Sequence, residues 1–210
     1  MTSAPTLAAR LRTETRSHHA QAERAGIMPA LLRGRLDRAT YGRLLVNLQA
    51  LYQALEAGLV RRACHPQVAP VYLPALFRLP ALEADLQALG IRQADRALCS
   101  ATQAYVARLH HIADHAPECL VAHAYTRYLG DLSGGQMLGQ TVARSLGLTG
   151  DAGIGFYQFG SPAEVAQHVQ AFRAGLNALP LDSAACDRVV AETTSAFQRH
   201  VALFEELAAG

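Results

Sequence analysis

Two adjacent histidines near the N-terminus are the first residues in this sequence that could bind a metal. Neutral imidazole is a common metal ligand, and the chain has nine histidines in 210 residues, so composition does not choose among them. His18 and His19 lie about 100° apart on a predicted helix. His18 is closer to the apolar stripe of Leu7 and Leu11. Spacing alone therefore leaves the choice of ligand open.

A second unusual feature is a cluster of glycines inside a segment that otherwise has a helical pattern. Gly130, Gly134 and Gly135 fall within six positions, and each costs about 1 kcal/mol relative to alanine in a helix interior. Glycine also lets another group approach the backbone, because it has no Cβ. Two interpretations are open: the helix ends at Gly130 and restarts after Gly135, or a bent helix lies across a flat ligand.

Charge and cysteine usage exclude several kinds of protein. The net charge is +2 without a long Lys/Arg run, which argues against a nucleic-acid partner. The four cysteines include no C-x-x-C pair, which argues against a disulfide framework and a zinc site. The sequence has no signal peptide pattern, no membrane-spanning stretch and no membrane tail after Gly210. We therefore expect a cytoplasmic protein without a membrane anchor, and a monomer by default.

The elements that must position these residues are all predicted to be α-helices. Alanine and leucine dominate, strand-like alternation is scarce, and prolines and glycines separate long helical patterns. We expect one compact helical domain over residues 1–210, with a proline-rich connector at 66–80. Ser161 and Glu164 form a capping-box pattern that opens a helix ending before Pro180. Further helices are predicted at about 6–24, 37–62, 81–89, 94–115 and 118–147, and from Asp182 onward.

Residues 122–136, AHAYTRYLGDLSGGQ, resemble the signature segment of the biliverdin-producing haem oxygenases. Residues 15–23, TRSHHAQAE, look like the proximal-histidine segment of that family. The shorter segments APVYLP at 69–74 and LFEEL at 203–207 follow in the family's order. The resemblance therefore covers nearly the whole chain, and together with the missing membrane tail it leads us to expect a soluble enzyme of the bacterial type.

The resemblance implies an all-α haem-oxygenase-like fold in which haem lies between the first helix and a glycine-kinked distal helix. It also implies cleavage of haem to biliverdin, CO and ferrous iron, with haem as both substrate and cofactor. O2 and an external electron donor, a ferredoxin or an NADPH-dependent reductase, are required; the chain has no flavin or nicotinamide fingerprint of its own. The alternative is a non-catalytic haem carrier on the same fold.

The family's H-x-Q-A-E pattern selects His19 as the iron ligand. Glu23 follows four residues later on the same helix face, where it could accept a hydrogen bond from the other imidazole nitrogen and orient the ring. Phe197 and Phe204 match positions in the haem wall, although a plain core stripe explains them equally well.

On the distal side, the resemblance places the backbone of the glycine cluster, Gly130, Gly134 and Gly135, against the porphyrin. The matching aspartate in the family holds ordered water beside bound O2. The alternative for Asp131 is a carboxylate on the helix surface, and the alternative for Tyr52 and Tyr105 is packing in the core. The water network implied for this chain consists of Asp131, Arg127, Tyr52 and Tyr105.

Basic positions of the family match residues that could bind the haem propionates, because the guanidinium fork suits carboxylates. Arg12 and Arg16 lie four residues apart, before His19, and Arg173 lies on the helix opened by Ser161. Tyr125, within the signature segment, is also expected to contact haem. The alternative is a solvated basic face.

The sequence departs from the family at two positions: Val169 replaces a lysine, and His200 replaces an asparagine that can join the distal water network. Two other kinds of helical protein are less compatible with the sequence. A thiaminase-like hydrolase would need an activated cysteine, and Cys119 and Cys186 have no activating neighbour at helical spacing. A di-iron bundle would need paired E-x-x-H motifs, which the sequence lacks.

Overall fold

The computed structural model describes residues 5–210, and helices supply all the regular structure in that range. Short 3-10 turns occupy Ala69–Val71 and Pro74–Leu76 in the proline-rich connector, as well as Gln93–Asp95, Pro117–Cys119 and Gly155–Tyr157. A single π-helical turn spans Tyr125–Leu129. The α-helices are α1 Leu7–Glu14, α2 Arg16–Ala22, α3 Met28–Leu32, α4 Arg38–Arg61, α5 Leu79–Ala88, α6 Ser100–His115, α7 Leu120–Ala124, α8 Gly130–Leu146, α9 Pro162–Ala178 and α10 Ser183–Ala209.

Side-chain caps fix the starts of the longer helices. Asp37 accepts a hydrogen bond from the α4 backbone, and Asp182 does the same for α10. Ser161 and Glu164 form a complete capping box at α9, with each side chain accepting a hydrogen bond from the other residue's backbone N–H. Such caps satisfy donors that have no partner within the helix. The predicted starts at Ser161 and Asp182 are confirmed, as is the end of α9 before Pro180.

The first predicted helix, over 6–24, is wrong as a single element. Thr15 leaves helical geometry, with φ −105° and ψ 6°, and separates α1 from α2. Its hydroxyl donates to the carbonyl oxygen of Leu11 at 2.6 Å, so the side chain competes for a group that a regular helix uses.

A short helix that the sequence pattern did not predict, α3, follows a tight crossing of two backbones. Gly26 has φ +46°, and a Cβ at this position would lie 1.9 Å from the carbonyl oxygen of Phe204. The N–H of Ile27 donates to that same oxygen at 3.2 Å. Only glycine permits both this dihedral angle and this approach, so the segment after α2 is held against α10.

The segment predicted as one helix over 118–147 is a series of elements. The 3-10 turn at Pro117–Cys119 leads into α7, the π turn and then α8. Helical geometry continues through all three glycines, so the interpretation in which the helix stops at Gly130 is wrong. The observed irregularity is the π turn, which precedes Gly130 directly; π turns commonly shift the helix axis. A bend at the glycines themselves remains a prediction.

The core is built around α4. The leucines at 44, 48, 51 and 55 recur at three- and four-residue steps and are all buried, and α4 packs against α5 and α6. One apolar cluster extends from Leu7 to Leu207. The expectation of a single domain over 1–210 is consistent with this cluster, although residues 1–4 lie outside the described range. No helix within residues 5–210 is long and apolar enough to cross a membrane.

Candidate functional site

A cavity of about 890 Å³ opens among α1, α2, α8 and α10, with α4 contributing Leu44 and Leu48 to its wall. This volume is within the range of small-molecule and cofactor pockets. Of the site residues predicted from sequence, Tyr52 and Tyr105 do not line it. The predicted residues that do are Arg12, Arg16, His19, Glu23, Tyr125, Arg127, Gly130, Asp131, Gly134, Gly135, Arg173, Phe197 and Phe204.

His19 projects from α2 into this cavity with about half of its side chain exposed. Its Nδ1 lies 3.7 Å from Glu23 Oε1, which is longer than a hydrogen bond but within reach of a small rotation. The ring packs edge-on against Phe197, with centroids 5.8 Å apart. Because Glu23 faces Nδ1, Nε2 is the nitrogen left free for a ligand. His18, the alternative ligand, does not line the cavity.

The metal-ligating side chains around His19 suit an iron held in a porphyrin better than a bare metal ion. Within residues 5–210, no three His, Cys, Asp or Glu side chains converge as a metal cluster. A bare ion generally needs several protein ligands, whereas haem iron takes its other ligands from the porphyrin and needs one axial donor. A single exposed imidazole in a large, mainly apolar cavity fits the second case.

Asp131, Arg127 and Tyr52 form a hydrogen-bonded cluster beside the cavity. Arg127 donates from Nη2 to Asp131 Oδ1 at 2.8 Å and from Nε to the Tyr52 hydroxyl at 3.1 Å. The Tyr52 hydroxyl in turn donates to Asp131 Oδ2. The Asp131 and Arg127 side chains are only 10% and 13% exposed. The predicted partners of Asp131 are therefore brought together, except Tyr105.

Burial and charge act in opposite directions on this cluster. Burial raises the pKa of the Asp131 carboxyl above its usual value, while the Arg127 guanidinium and the Tyr52 hydroxyl act against that rise. Burial would lower the pKa of Arg127, but Asp131 and Tyr52 outweigh it and raise the pKa. The paired carboxylate and guanidinium stabilise each other's charged forms. The cluster thus offers a carboxylate and a cation at the cavity wall.

Two of the three clustered glycines face open space in the cavity. Apart from the chain neighbours and the backbone of the same helix, no atom of the described residues lies within 4 Å of a Cβ built at Gly130 or Gly134. At Gly135 the Cβ would instead contact Tyr157, at 3.6 Å. The first two positions therefore present bare backbone on which a flat ligand can lie, and Gly135 faces the protein interior.

Arg12, Arg16 and Arg173 gather at the cavity with exposed side chains. None of them forms an ion pair with a carboxylate in the part of the chain that the structure describes. Burial raises the pKa of the Tyr125 hydroxyl, and the charges of Arg173 and Arg12 act against that rise. Three helices thus bring unpaired positive charge to one rim, where ligand carboxylates would bind.

Tyr105, the remaining predicted residue, lies in a different buried chain of hydrogen bonds. Its hydroxyl is 2.8 Å from His123 Nδ1, and His123 Nε2 is 3.0 Å from Glu192 Oε1. Arg108 binds the other Glu192 oxygen at 2.6 Å. Burial would raise the pKa of Glu192, but the hydrogen bonds from His123 and Arg108 lower it to about 2. Burial also lowers the pKa of His123, so a neutral imidazole donates to Glu192 and accepts from Tyr105.

The sequence did not lead us to predict this chain of hydrogen bonds, and it only partly indicated the role of His200. His123 stands in the signature segment without an assigned role. An acidic residue on the buried face of α10, between Val189 and Ala196, was the signal that could have identified Glu192, since buried carboxylates require partners. His200 is buried and lines the cavity.

The cysteines give no support to the hydrolase alternative. None of the four, all of which lie in the described range, lines the cavity. Burial raises the pKa of the Cys119 thiol to about 11, so the nucleophilic thiolate is disfavoured there.

A comparison with protein families matches residues 5–206 to the model described as "Heme oxygenase". The chain belongs to the haem oxygenase family. Heme oxygenase 1 of Synechocystis is 38% identical over 204 residues, covering 96% of this chain and 84% of its own length. Heme oxygenase of Porphyra purpurea is 37% identical, covering 96% of this chain and 86% of its own length.

Solved structures of haem oxygenases confirm the predicted all-α fold. The haem oxygenase from Leptospira interrogans superposes with a TM-score of 0.92 and 35% identity, over 96% of this chain and 100% of that one. Heme oxygenase-1 from Synechocystis, solved in complex with haem, gives a TM-score of 0.91 and 37% identity over 98% of this chain and 93% of that one.

Proposed function

We propose that this chain cleaves haem oxidatively to biliverdin, CO and ferrous iron, using O2. The observation that carries the proposal is one cavity that exposes the imidazole of His19 on α2 and is bordered by a nearly buried carboxylate–guanidinium pair where the π turn meets the start of α8. Family membership and the haem complex of the Synechocystis relative support the same reaction.

In this proposal, each wall of the cavity holds one part of haem. His19 supplies Nε2 to the iron, and Glu23 orients the ring through Nδ1, 3.7 Å away. Gly130 and Gly134 accept the porphyrin face against bare backbone. The rim arginines at 12, 16 and 173 pair with the propionates, which fixes the rotation of the ring and thereby selects the meso carbon that is oxidised. Phe197 and Phe204 contribute apolar wall.

Bound haem supplies both the iron that activates O2 and the ring that is oxidised. The protein's contribution is to control protons near the iron. Asp131 is paired with Arg127 and accepts from Tyr52, so it holds water by accepting hydrogen bonds and does not act as a strong acid. Water held by Asp131 would deliver protons gently near the iron, whereas a strong acid at that place would not.

The electrons come from a separate protein, a ferredoxin or an NADPH-dependent reductase. We propose that the enzyme acts in the cytoplasm as a monomer that forms one domain.

The test is a hemin titration of the purified protein, followed by a reductase system in air with spectra recorded throughout. We expect a stoichiometric Soret band that decays into a biliverdin spectrum with iron released. His19→Ala should change the Soret band, while His18→Ala, its neighbour outside the cavity, should not. A stable Soret band under reduction, with O2 bound, would overturn catalysis in favour of a haem carrier. Absence of any Soret band would overturn the site.

A further inference from the structure

Two histidines at the end of α6 lie close together, away from the haem cavity. His111 and His115 are four residues apart on this helix, so their side chains project from the same face. Their ring centroids are 4.7 Å apart, with an angle of 57° between the ring planes. Both side chains are exposed, and neither lines the cavity. Within residues 5–210 neither ring forms an ion pair or a hydrogen bond, so the ring nitrogens are available to a ligand.

The separation of the two rings matches that of imidazoles that share one metal ion. Two nitrogens bound at about 2.0–2.1 Å in a tetrahedral arrangement place the ring centroids about 5 Å apart. The observed 4.7 Å is close to that value. The same spacing of four residues brings both histidines of helical H-E-x-x-H motifs to one zinc ion. Rotation of the side chains alone can therefore bring both rings onto one cation.

The backbone that carries the pair is held against α4, although helix ends commonly fray. Arg62, which follows α4, donates from Nε to the carbonyl oxygen of Ala113 at 2.7 Å and from Nη2 to that of Asp114 at 3.3 Å. Ile112 and Ala113 are fully buried. The two imidazoles are thus presented from an ordered turn, which reduces the entropy lost when both bind the same ion.

The surrounding charges admit a cation of one chemical class. His115 is the last residue of α6, where the helix dipole favours positive charge. Asp114 adds a carboxylate beside the pair, partly offset by Arg61 and Arg62 at 3.6 Å and 4.0 Å. Imidazole nitrogens suit Cu2+, Ni2+ and Zn2+, whereas Mg2+ and Ca2+ prefer oxygen ligands.

We propose that His111 and His115 form a surface site for one divalent transition-metal cation, with water completing its coordination. Cu2+ binds there more tightly than Ni2+ or Zn2+, as the general order for nitrogen ligands requires. Structural zinc sites use four protein ligands, so a site with two releases its ion readily. The inference goes beyond the proposed function and does not rest on it, because the pair lies outside the haem cavity.

The test is a calorimetric titration of the haem-free protein with Ni2+ alone. His111→Gln and His115→Gln each remove one ligand. His110→Gln is the matched control, because His110 is exposed on the same helix but lies about 100° from its neighbour His111. In a second measurement, substoichiometric Cu2+ is added and the imidazole NMR signals are recorded; paramagnetic Cu2+ broadens the rings that bind it, and the same variants assign the signals.

We expect wild type to bind Ni2+ at least about tenfold more tightly than either single variant, because the second imidazole acts at a high effective concentration. His110→Gln should keep the wild-type affinity, and Cu2+ should broaden the rings of His111 and His115 together. Equal Ni2+ affinity in wild type and both single variants, an equal loss in His110→Gln, or broadening of one ring without the other would overturn the inference.

Hemin titrations of the same proteins keep this result separate from the proposed function. All three variants should bind hemin as wild type does, since none of the substituted residues lines the cavity. Failure of the metal site therefore leaves the proposed function standing, and failure of the wild-type protein to bind hemin leaves the metal site standing.

Discussion

Substitutions at Gly134 can distinguish the stability of the haem-free protein from its affinity for haem. A Cβ at this position meets no atom of the described residues within 4 Å outside its chain neighbours and its own helix backbone, and the residue lies in the interior of α8. Gly134→Ala should therefore stabilise the haem-free protein by about 1 kcal/mol, the difference in helix propensity. For a chain of this size that raises Tm by roughly 2–4 °C.

The same open space is where the porphyrin lies in the proposed function, so a larger side chain should weaken haem binding. Gly134→Leu retains good helix propensity. If it holds about 100 Å² of porphyrin away from the wall, at about 25 cal/mol per Å² the loss is about 2.5 kcal/mol. This corresponds to a roughly 70-fold lower affinity.

Thermal melts of the haem-free proteins and hemin titrations measure the two effects separately. Gln140→Ala, an exposed substitution on the same helix and outside the cavity, controls for helix propensity. We expect Gly134→Leu to be at least as stable as wild type and to bind hemin more weakly. Wild-type hemin affinity in Gly134→Leu would refute the placement of haem on this helix, and a lower Tm in Gly134→Ala would refute the reasoning on open space.

Three further predictions follow from the site. Asp131→Asn should still bind hemin but yield much less biliverdin, measured by chromatography of single turnovers; an undiminished yield would contradict the role of the carboxylate. Arg12→Glu and Arg173→Glu should each weaken hemin binding about two- to fivefold, as expected for exposed pairs, and broaden the mixture of biliverdin isomers; a single unchanged isomer at unchanged affinity would argue against propionate contacts. Burial lowers the pKa of His123 and of His200 from the ordinary histidine value, so below about pH 6.5 both imidazoles gain a proton when the protein unfolds. Stability should then fall below about pH 6.5 by up to about 1.4 kcal/mol per pH unit for each histidine; denaturant melts that are flat between about pH 7.5 and pH 5.5 would contradict this.

Local chemistry explains which elements were predictable. Ser161 and Asp182 cap their helices through hydrogen bonds spanning three residues, so the sequence alone contains the signal. The interruption at Thr15 has no such local signal. Its hydroxyl bonds the carbonyl oxygen of Leu11 just as Thr193 bonds that of Val189 within the unbroken helix α10, so the presence of threonine did not predict a break. The π turn at Tyr125–Leu129 has the same polar and apolar pattern as an α-helix.

The candidate site was less predictable because its partners are distant in sequence. Tyr52 reaches Asp131 across 79 positions, and His123 reaches Glu192 across 69. Helical periodicity predicts the face of the helix on which a residue lies, but it does not predict which distant residue that face contacts. The resemblance to a family supplied the association of Asp131 with Tyr52, and placed Tyr105 in the same network. The structure gives Tyr105 a direct bond to His123 instead, and its role in the water network remains a prediction.

The close approach of two backbones at Gly26 joins the segment after α2 to helix α10. The carbonyl of Phe204 would collide with any Cβ at Gly26, and it also accepts the N–H of Ile27. The segment that contains His19 is thereby held against α10, and Phe197 of α10 also packs against the His19 ring. We therefore expect α2 and α10 to keep their relative positions when a large flat molecule enters or leaves the cavity. Any widening of the cavity would then come from the opposite wall, which is the glycine-bearing helix α8.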